Sequence, residues 1–317
     1  IGGAFSGYDS DTEAVDCSFI DNDGPYGGGI ECHEGTRAEF VNCLFARNTA
    51  SAQGGGLTFA IQDGVNVVNC TIAGNTTDGS GGGVFIRSSA GSIANCIFSK
   101  NNSFAIFAGD ADADPIVTNC LFDSNVSGAY YNEGSQSIAN ASGPNSMNSI
   151  LTEADGNLDG DPKFANPTGD DYHLVLGSPA IDAGVATNAP DHDIDGDSRP
   201  IAIAKGGSAF DAGFDEYNPD AIITLDKPSN GDEWKRGKKY KIRWNFNGYT
   251  GSSVRLELVR KGDVEREIVA RTPNDGTFKW KVPNNVPAKK GYSVRITNAD
   301  DSTFTDGSDG TFRIVKP

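Results

Sequence analysis

The side chains able to do chemistry in this 317-residue chain are mostly carboxylates, and they come in three runs: Asp110-Ala-Asp112-Ala-Asp114-Pro115, Asp155-Gly-Asn157-Leu-Asp159-Gly-Asp161 and Asp193-Ile-Asp195-Gly-Asp197. Asp alternating with Gly lets several carboxylates and a backbone carbonyl converge on one hard cation. The second run fits the first half of a calcium loop. Asn166 stands where the bidentate Glu of an EF-hand would be, so an EF-hand is excluded and a looser loop is not. The candidate calcium ligands are therefore Asp155, Asn157, Asp159, Asp161, Asp193, Asp195 and Asp197. The competing reading is a set of solvated turns that cap their own backbone. The Ala and Pro flanking Asp110, Asp112 and Asp114 mark an inserted loop. His33, His173 and His192 are scattered, no Ser-His-Asp order with a nucleophile elbow is present, and the six cysteines show no CxxC spacing for zinc. No catalytic residue is assigned.

The elements that must carry these residues follow from an internal repeat. Val15-Asp-Cys17-Ser-Phe19-Ile-Asp-Asn22 recurs as Val41 to Asn48, Val68 to Asn75, Ala94 to Asn101 and Thr118 to Asn125, with a fading sixth pass at Ile138-Ala-Asn140-Ala141. A glycine phrase keeps the same beat at Gly27, Gly54 and Gly81. Val41, Cys43 and Phe45 alternate with Asn42 and Leu44, and Ile30 and Cys32 with Glu31 and His33, which is strand periodicity. Strands this short, in units of this length, predict one turn of a parallel β-helix per repeat. Stacking puts the cysteines in one inward column and Phe19, Phe45, Ile72, Phe98 and Phe122 in the next. Asn22, Asn48, Asn75, Asn101 and Asn125 become a corner column with amides bonded along the stack, in the left-handed backbone that Asn tolerates. The glycines mark a corner too tight for side chains. The thiols read as small core groups. Ile1-Gly-Gly-Ala-Phe5 shares the register of Gly27-Gly-Gly-Ile30, so the chain opens in mid-rung.

Composition agrees, with 40 Gly, one Met and 37% hydrophobic residues. The formal charge of −17 divides unevenly: residues 1–217 hold 7 Lys+Arg against 30 Asp+Glu, residues 218–317 hold 19 against 13, so the halves carry −23 and +6. The acidic half argues against nucleic acid as a partner, and no apolar run reaches the roughly 18–20 residues of a membrane span. After Tyr217 longer alternating segments appear, such as Lys239 to Trp244, Val254 to Leu258 and Tyr292 to Ile296, separated by turns. The expected fold is all-β: a right-handed parallel β-helix of about five to six rungs over residues 1–217, with an acidic closing segment at about 143–217, then an antiparallel β-sandwich over 218–317. Trp234, Trp244 and Trp280 read as core, at least two of them. The basic residues from Lys235 to Lys241, with Lys279 and Lys281, read as a solvated face.

Asn157 to Phe164, Asp171 to Leu174, Gly177 to Gly184, Asp193 to Pro200 and Asp211 to Tyr217 resemble, in that order, the closing segment of the choice-of-anchor Q family of secreted, mostly bacterial surface proteins on pectate-lyase-type coils. The resemblance implies an extracellular location and a cap over the C-terminal end of the coil, and implies no activity. Gly231-Asp-Glu-Trp234, the Trp244 strand and Gly276 to Trp280 are similar to immunoglobulin-like modules of the Ser/Thr-rich GPI-anchored membrane family, related to yeast cell-wall glucan-synthesis proteins. Pectate-lyase-type coils cleave acidic polysaccharides with calcium-binding carboxylates and an Arg or Lys base. Here the basic residues on the coil are few, Arg87 is expected to point outward, and a surface at −23 repels polyuronates. The expectation is a non-catalytic surface protein, structural or adhesive, whose partners are cell-surface glycans or further copies of itself docked head to tail into filaments. A polysaccharide lyase or glycoside hydrolase is the enzymatic alternative. Calcium is the one cofactor expected.

Overall fold

The computed structural model describes all residues except 1, 36, 62–63, 141–145, 152, 202–209, 301 and 303. Two compact units result: Ile1–Phe164 with Leu174–Tyr217, and Ala165–His173 with Asn218–Pro317.

In the first unit each repeat contributes one strand to each of three parallel faces. The first face begins with Phe5–Tyr8, Ile30–His33, Leu57–Ala60 and Val84–Arg87, the second with Thr12–Val15, Ala38–Val41 and Val65–Val68, the third with Ser18–Ile20, Leu44–Ala46 and Thr71–Ala73. A small wing of Asp23–Tyr26, Thr49–Gln53 and Thr76–Thr77 stands between the third face and the glycine corner. Parallel strands in register over five to six turns make this a parallel β-helix.

The expected columns are present. Phe19, Phe45, Ile72, Phe98 and Phe122 face one another from rung to rung, and the Phe19–Phe45 and Phe98–Phe122 rings stack at 4.9 and 5.1 Å. All six cysteines are free thiols. In the column the Cys43 and Cys96 amides donate to the sulfurs of Cys70 and Cys120 at 3.4 Å, so each thiol caps the corner beneath it. Burial pushes the Cys32 thiol up to about 12 and the Cys70 and Cys96 thiols well above the ordinary range, which keeps them protonated and inert.

The asparagine ladder is continuous. Asn22, Asn48, Asn75 and Asn101 each donate both backbone N–H and side-chain amide to the Oδ1 of the next asparagine, at 2.8–3.2 Å. The left-handed residues are not these asparagines but those just before them: Asp21, Arg47, Gly74, Lys100 and Ser124. The ladder amide must aim along the stack, so the turn falls on its exposed neighbour. A second left-handed column, Asp16, Asn42, Asn69, Asn95 and Asn119, precedes the cysteines. That corner resets the strand phase, and for this reason Phe40 is inward and Val41 is not. At the glycine corner a Cβ on Gly28 would lie 2.3 Å from the Gly55 carbonyl, so no side chain fits.

Two expectations need correction. Ile138 does not open a sixth rung: Ser137–Ala139 runs antiparallel to Gly128–Asn132, and Ala141 lies outside the described residues. The sixth pass begins instead at Ala154–Asp155 and Leu158–Asp159, with Asn157 in the cysteine position. Nor does the closing segment as a whole cap the coil's C-terminal end; only its first residues lie there. Ala139 and the wholly buried Met147, from the insertion before the sixth pass, pack in the core there. Residues 174–201 and 210–217 run back along the flank as a strap. Leu174, Ala180, Ala212 and Tyr217 cover Ile97 and Leu121 on the outside of the third face. The second-column asparagines hold the strap: Asn95 exchanges two hydrogen bonds with Val185, Asn69 donates to the carbonyls of Asp211 and Gly213, and Asn42 donates to that of His192. His192 reaches Asp16 of the first rung at 3.2 Å.

The second unit is a β-sandwich. A three-stranded sheet, Ile222–Lys227, Lys239–Asn247 and Thr277–Lys281, packs against a six-stranded one built around Ser253–Arg260 and Lys290–Asn298. Pairing is antiparallel except where Glu233–Lys235 runs parallel to Phe312–Val315. All three tryptophans are core, Trp244 donating its indole N–H to Asn274 at 2.7 Å.

Candidate functional site

On a solenoid the inward positions are spent on packing, so function falls to the outward ones. On the first face these form two lanes. One runs Ser6, Glu31, Thr58, Phe85, the other Tyr8, His33, Ala60, Arg87. Rung three offers only Thr58 and Ala60, small side chains between Glu31 with His33 on one side and Phe85 with Arg87 on the other. Two rung spacings make the resulting notch about 10 Å across. The wing supplies its wall with Tyr26, Ala52 and Gln53, and the whole encloses about 430 Å³.

The site is prebuilt. Glu31 is only 9% exposed and accepts from Ser6 at 3.2 Å, while His33 lies under the Tyr8 ring at 5.2 Å. Tyr26 is 42% exposed and its ring is available for stacking. Among the described lining residues Glu31 is the one carboxylate. Glycoside hydrolysis ordinarily takes two carboxyl groups, about 5–9.5 Å apart. A carboxylate, an imidazole, a guanidinium and an amide around an aromatic ring instead suit the hydroxyls and apolar ring faces of a sugar. Sequence reasoning set Arg87 aside because it points outward. Outward is where the groove lies, and the alternation of Glu31 and His33 with inward Ile30 and Cys32 was the available signal.

The predicted metal ligands are distributed differently. Asn157 is buried in the cysteine column, where its Oδ1 accepts from the Cys120 amide at 3.0 Å and its Nδ2 donates to Val117 and Asn148. Asp155 and Asp161 are exposed and cap the amides of Gly156 and Lys163, and Asp159 is exposed as well. Asp193 is wholly buried. One of its oxygens accepts from the amides of Asp195 and Asp197, the other from that of Glu216. Among the described residues, no three of the six aspartates bring ligand atoms together. Asp110 is held by Ser88, while Asp112 and Asp114 are exposed.

The buried acids of the strap form a lock. Arg199 and Glu216, both fully buried, pair at 2.8 Å, and Arg199 also donates to the carbonyls of Asp211 and Gly213. Asp211 accepts the amides of Asp182 and Tyr217, each at 2.7 Å. Burial, then the charge of Glu216, pushes the Asp211 carboxyl up to about 8 against those two hydrogen bonds.

Residues 2–142 match the model of the right-handed β-helix region, and residues 227–312 that of the Kre9/KNH-like N-terminal Ig-like domain. The coil is accordingly right-handed, and an Ig-like domain follows it. None of the curated proteins matches the chain. Among solved structures, the fibronectin(III)-like modules of Clostridium thermocellum CbhA are similar at 14% identity, over 30% of this chain and 96% of that one, with a TM-score of 0.22. Among the described residues no helix is long and apolar enough to cross a membrane.

Proposed function

We propose that the chain is an extracellular surface protein of the choice-of-anchor Q type that holds a glycan strand in the first-face notch without cleaving it. The notch carries this reading: an exposed Tyr26 ring beside Glu31, His33, Gln53 and Arg87, all fixed on a rigid stack. A β-helix followed by an Ig-like domain fits a cell-surface structural or binding protein, and the single carboxylate among the described lining residues favours holding over hydrolysis. Titration of the full chain with an oligosaccharide panel tests it. For the glycan that binds, Tyr26→Ala and Arg87→Gln each weaken affinity about tenfold, the scale of one lost stacking or charged contact, with melting unchanged. No binding to any glycan, or binding indifferent to both changes, refutes the reading, and release of new sugar ends would make the groove catalytic. A structural role through head-to-tail filaments is the second reading, supported by the charges of −23 and +6 on the two halves. Light scattering at low salt and high concentration decides it, and a persistent monomer ends it.

A further inference from the structure

We infer that the outer face of the three-stranded sheet in the second unit docks a linear acidic polysaccharide. Lys239, Lys241 and Arg243 project outward from one strand, Lys279 and Lys281 from its neighbour. The register sets Lys239 directly opposite Lys281 and Lys241 directly opposite Lys279. Like charges so placed destabilise a sheet. Among the described residues none of the five has an ion-pair partner, whereas the other sheet pairs several of its cations: Arg295 with Glu257 at 2.7 Å, Arg260 with Glu265 at 3.3 Å and Arg313 with Glu233 at 2.6 Å. Of the nearby acids, Asp232 faces Lys227 at 3.7 Å and Asp226 accepts from Asn245 at 2.9 Å. The same chain therefore balances one sheet and leaves the other unbalanced.

The geometry selects the occupant. Alternate residues along a strand are about 6.8 Å apart and directly opposed ones about 5 Å, so the cations form a grid with a repeat in two directions. A polymer with a fixed charge on successive units matches such a grid. Thr224, Asn245 and Thr277 beside the cations offer hydrogen bonds to hydroxyls, while Ile222, the exposed apolar residue of this face, pairs with Asn247 at the strand end away from the lysine pairs. The face lies on the Ig-like domain and does not depend on the coil's groove.

The test uses the full chain at low salt with polygalacturonate and heparin as probes and a neutral β-glucan as control. Both acidic polymers bind and the neutral one does not. Lys241→Gln with Lys279→Gln weakens binding about tenfold and lowers the salt slope by about 2, one for each cation lost. Melting is unchanged or raised, because two opposed like charges go. Arg87→Gln leaves this binding intact, which separates it from the groove. Should the first pair unfold, Lys239→Gln with Lys281→Gln decides in its place. The inference fails if neither acidic polymer binds, if binding ignores both pairs, or if the glucan binds equally. Tighter binding to anionic vesicles, or self-association abolished by the same changes without any polysaccharide binding, also overturns it.

Discussion

Replacing Asn75 by Ala interrupts the ladder at a fully buried step. Asn75 Oδ1 is the acceptor for the backbone N–H of Asn48 at 2.9 Å and for its side-chain amide at 3.0 Å. Ala leaves the Asn48 backbone N–H and one of its two side-chain N–H groups buried and unpaired, the other still donating to the Phe19 carbonyl, at about 1–3 kcal/mol each, so the coil should lose about 4 kcal/mol. Asn22, at the start of the ladder, donates to Asn48 and Ile20 and, among the described bonds, accepts from no buried N–H. Asn22→Ala should therefore cost about 1 kcal/mol. The contrast between identical substitutions is the measurement. Urea unfolding followed by far-UV circular dichroism reports the coil, while tryptophan fluorescence reports the second unit separately, since Trp234, Trp244 and Trp280 all lie there. Equal costs at the two positions, or a loss at Asn75 below about 1 kcal/mol, would refute the ladder argument.

Removing one partner of the buried pair with Arg199→Met strands Glu216 and should destabilise the strap by about 3–5 kcal/mol, with part recovered in Arg199→Met/Glu216→Gln. Hydrogen exchange at Gly213 and Glu216 reads this directly, and unchanged protection would contradict it. In the second unit burial alone would raise the carboxyl of Asp171, but His173 at 2.8 Å, with Tyr249 and Ser252, holds it down to about 2. The unfolded state then binds the extra proton first, so this stability, about 2 kcal/mol, is full above pH ~5 and lost as pH falls towards 2. Acid titration of tryptophan fluorescence should show that loss in the native chain and a flat profile over the same range in Asp171→Asn.

The columns were legible because a solenoid writes the same environment into the sequence at every turn: Cys, Phe and Asn recur wherever the stack needs a small cap, a core ring and an amide. Asn157 was not legible as a column residue, because an amide can replace a thiol as acceptor for the Cys120 amide, and its Asp neighbours pointed to metal binding. The strap escaped notice for a related reason. Its partners, Asn42, Asn69 and Asn95, share one repeat position, yet nothing in the repeat tells an asparagine that closes a corner from one that also holds a distant segment. The groove depends on side-chain size at rung three, where Thr58 and Ala60 are silent until their neighbours are known.

An isolated solenoid couples each turn only to its neighbours, so its ends can fray while its middle stays folded. The strap changes that connectivity. By bonding to Asn95, Asn69, Asn42 and Asp16 in turn, a segment made more than 150 residues after the first rung grips four successive turns at once. The coil should open as a single cooperative body, and during synthesis its early rungs should gain their full stability only after the chain has passed Tyr217.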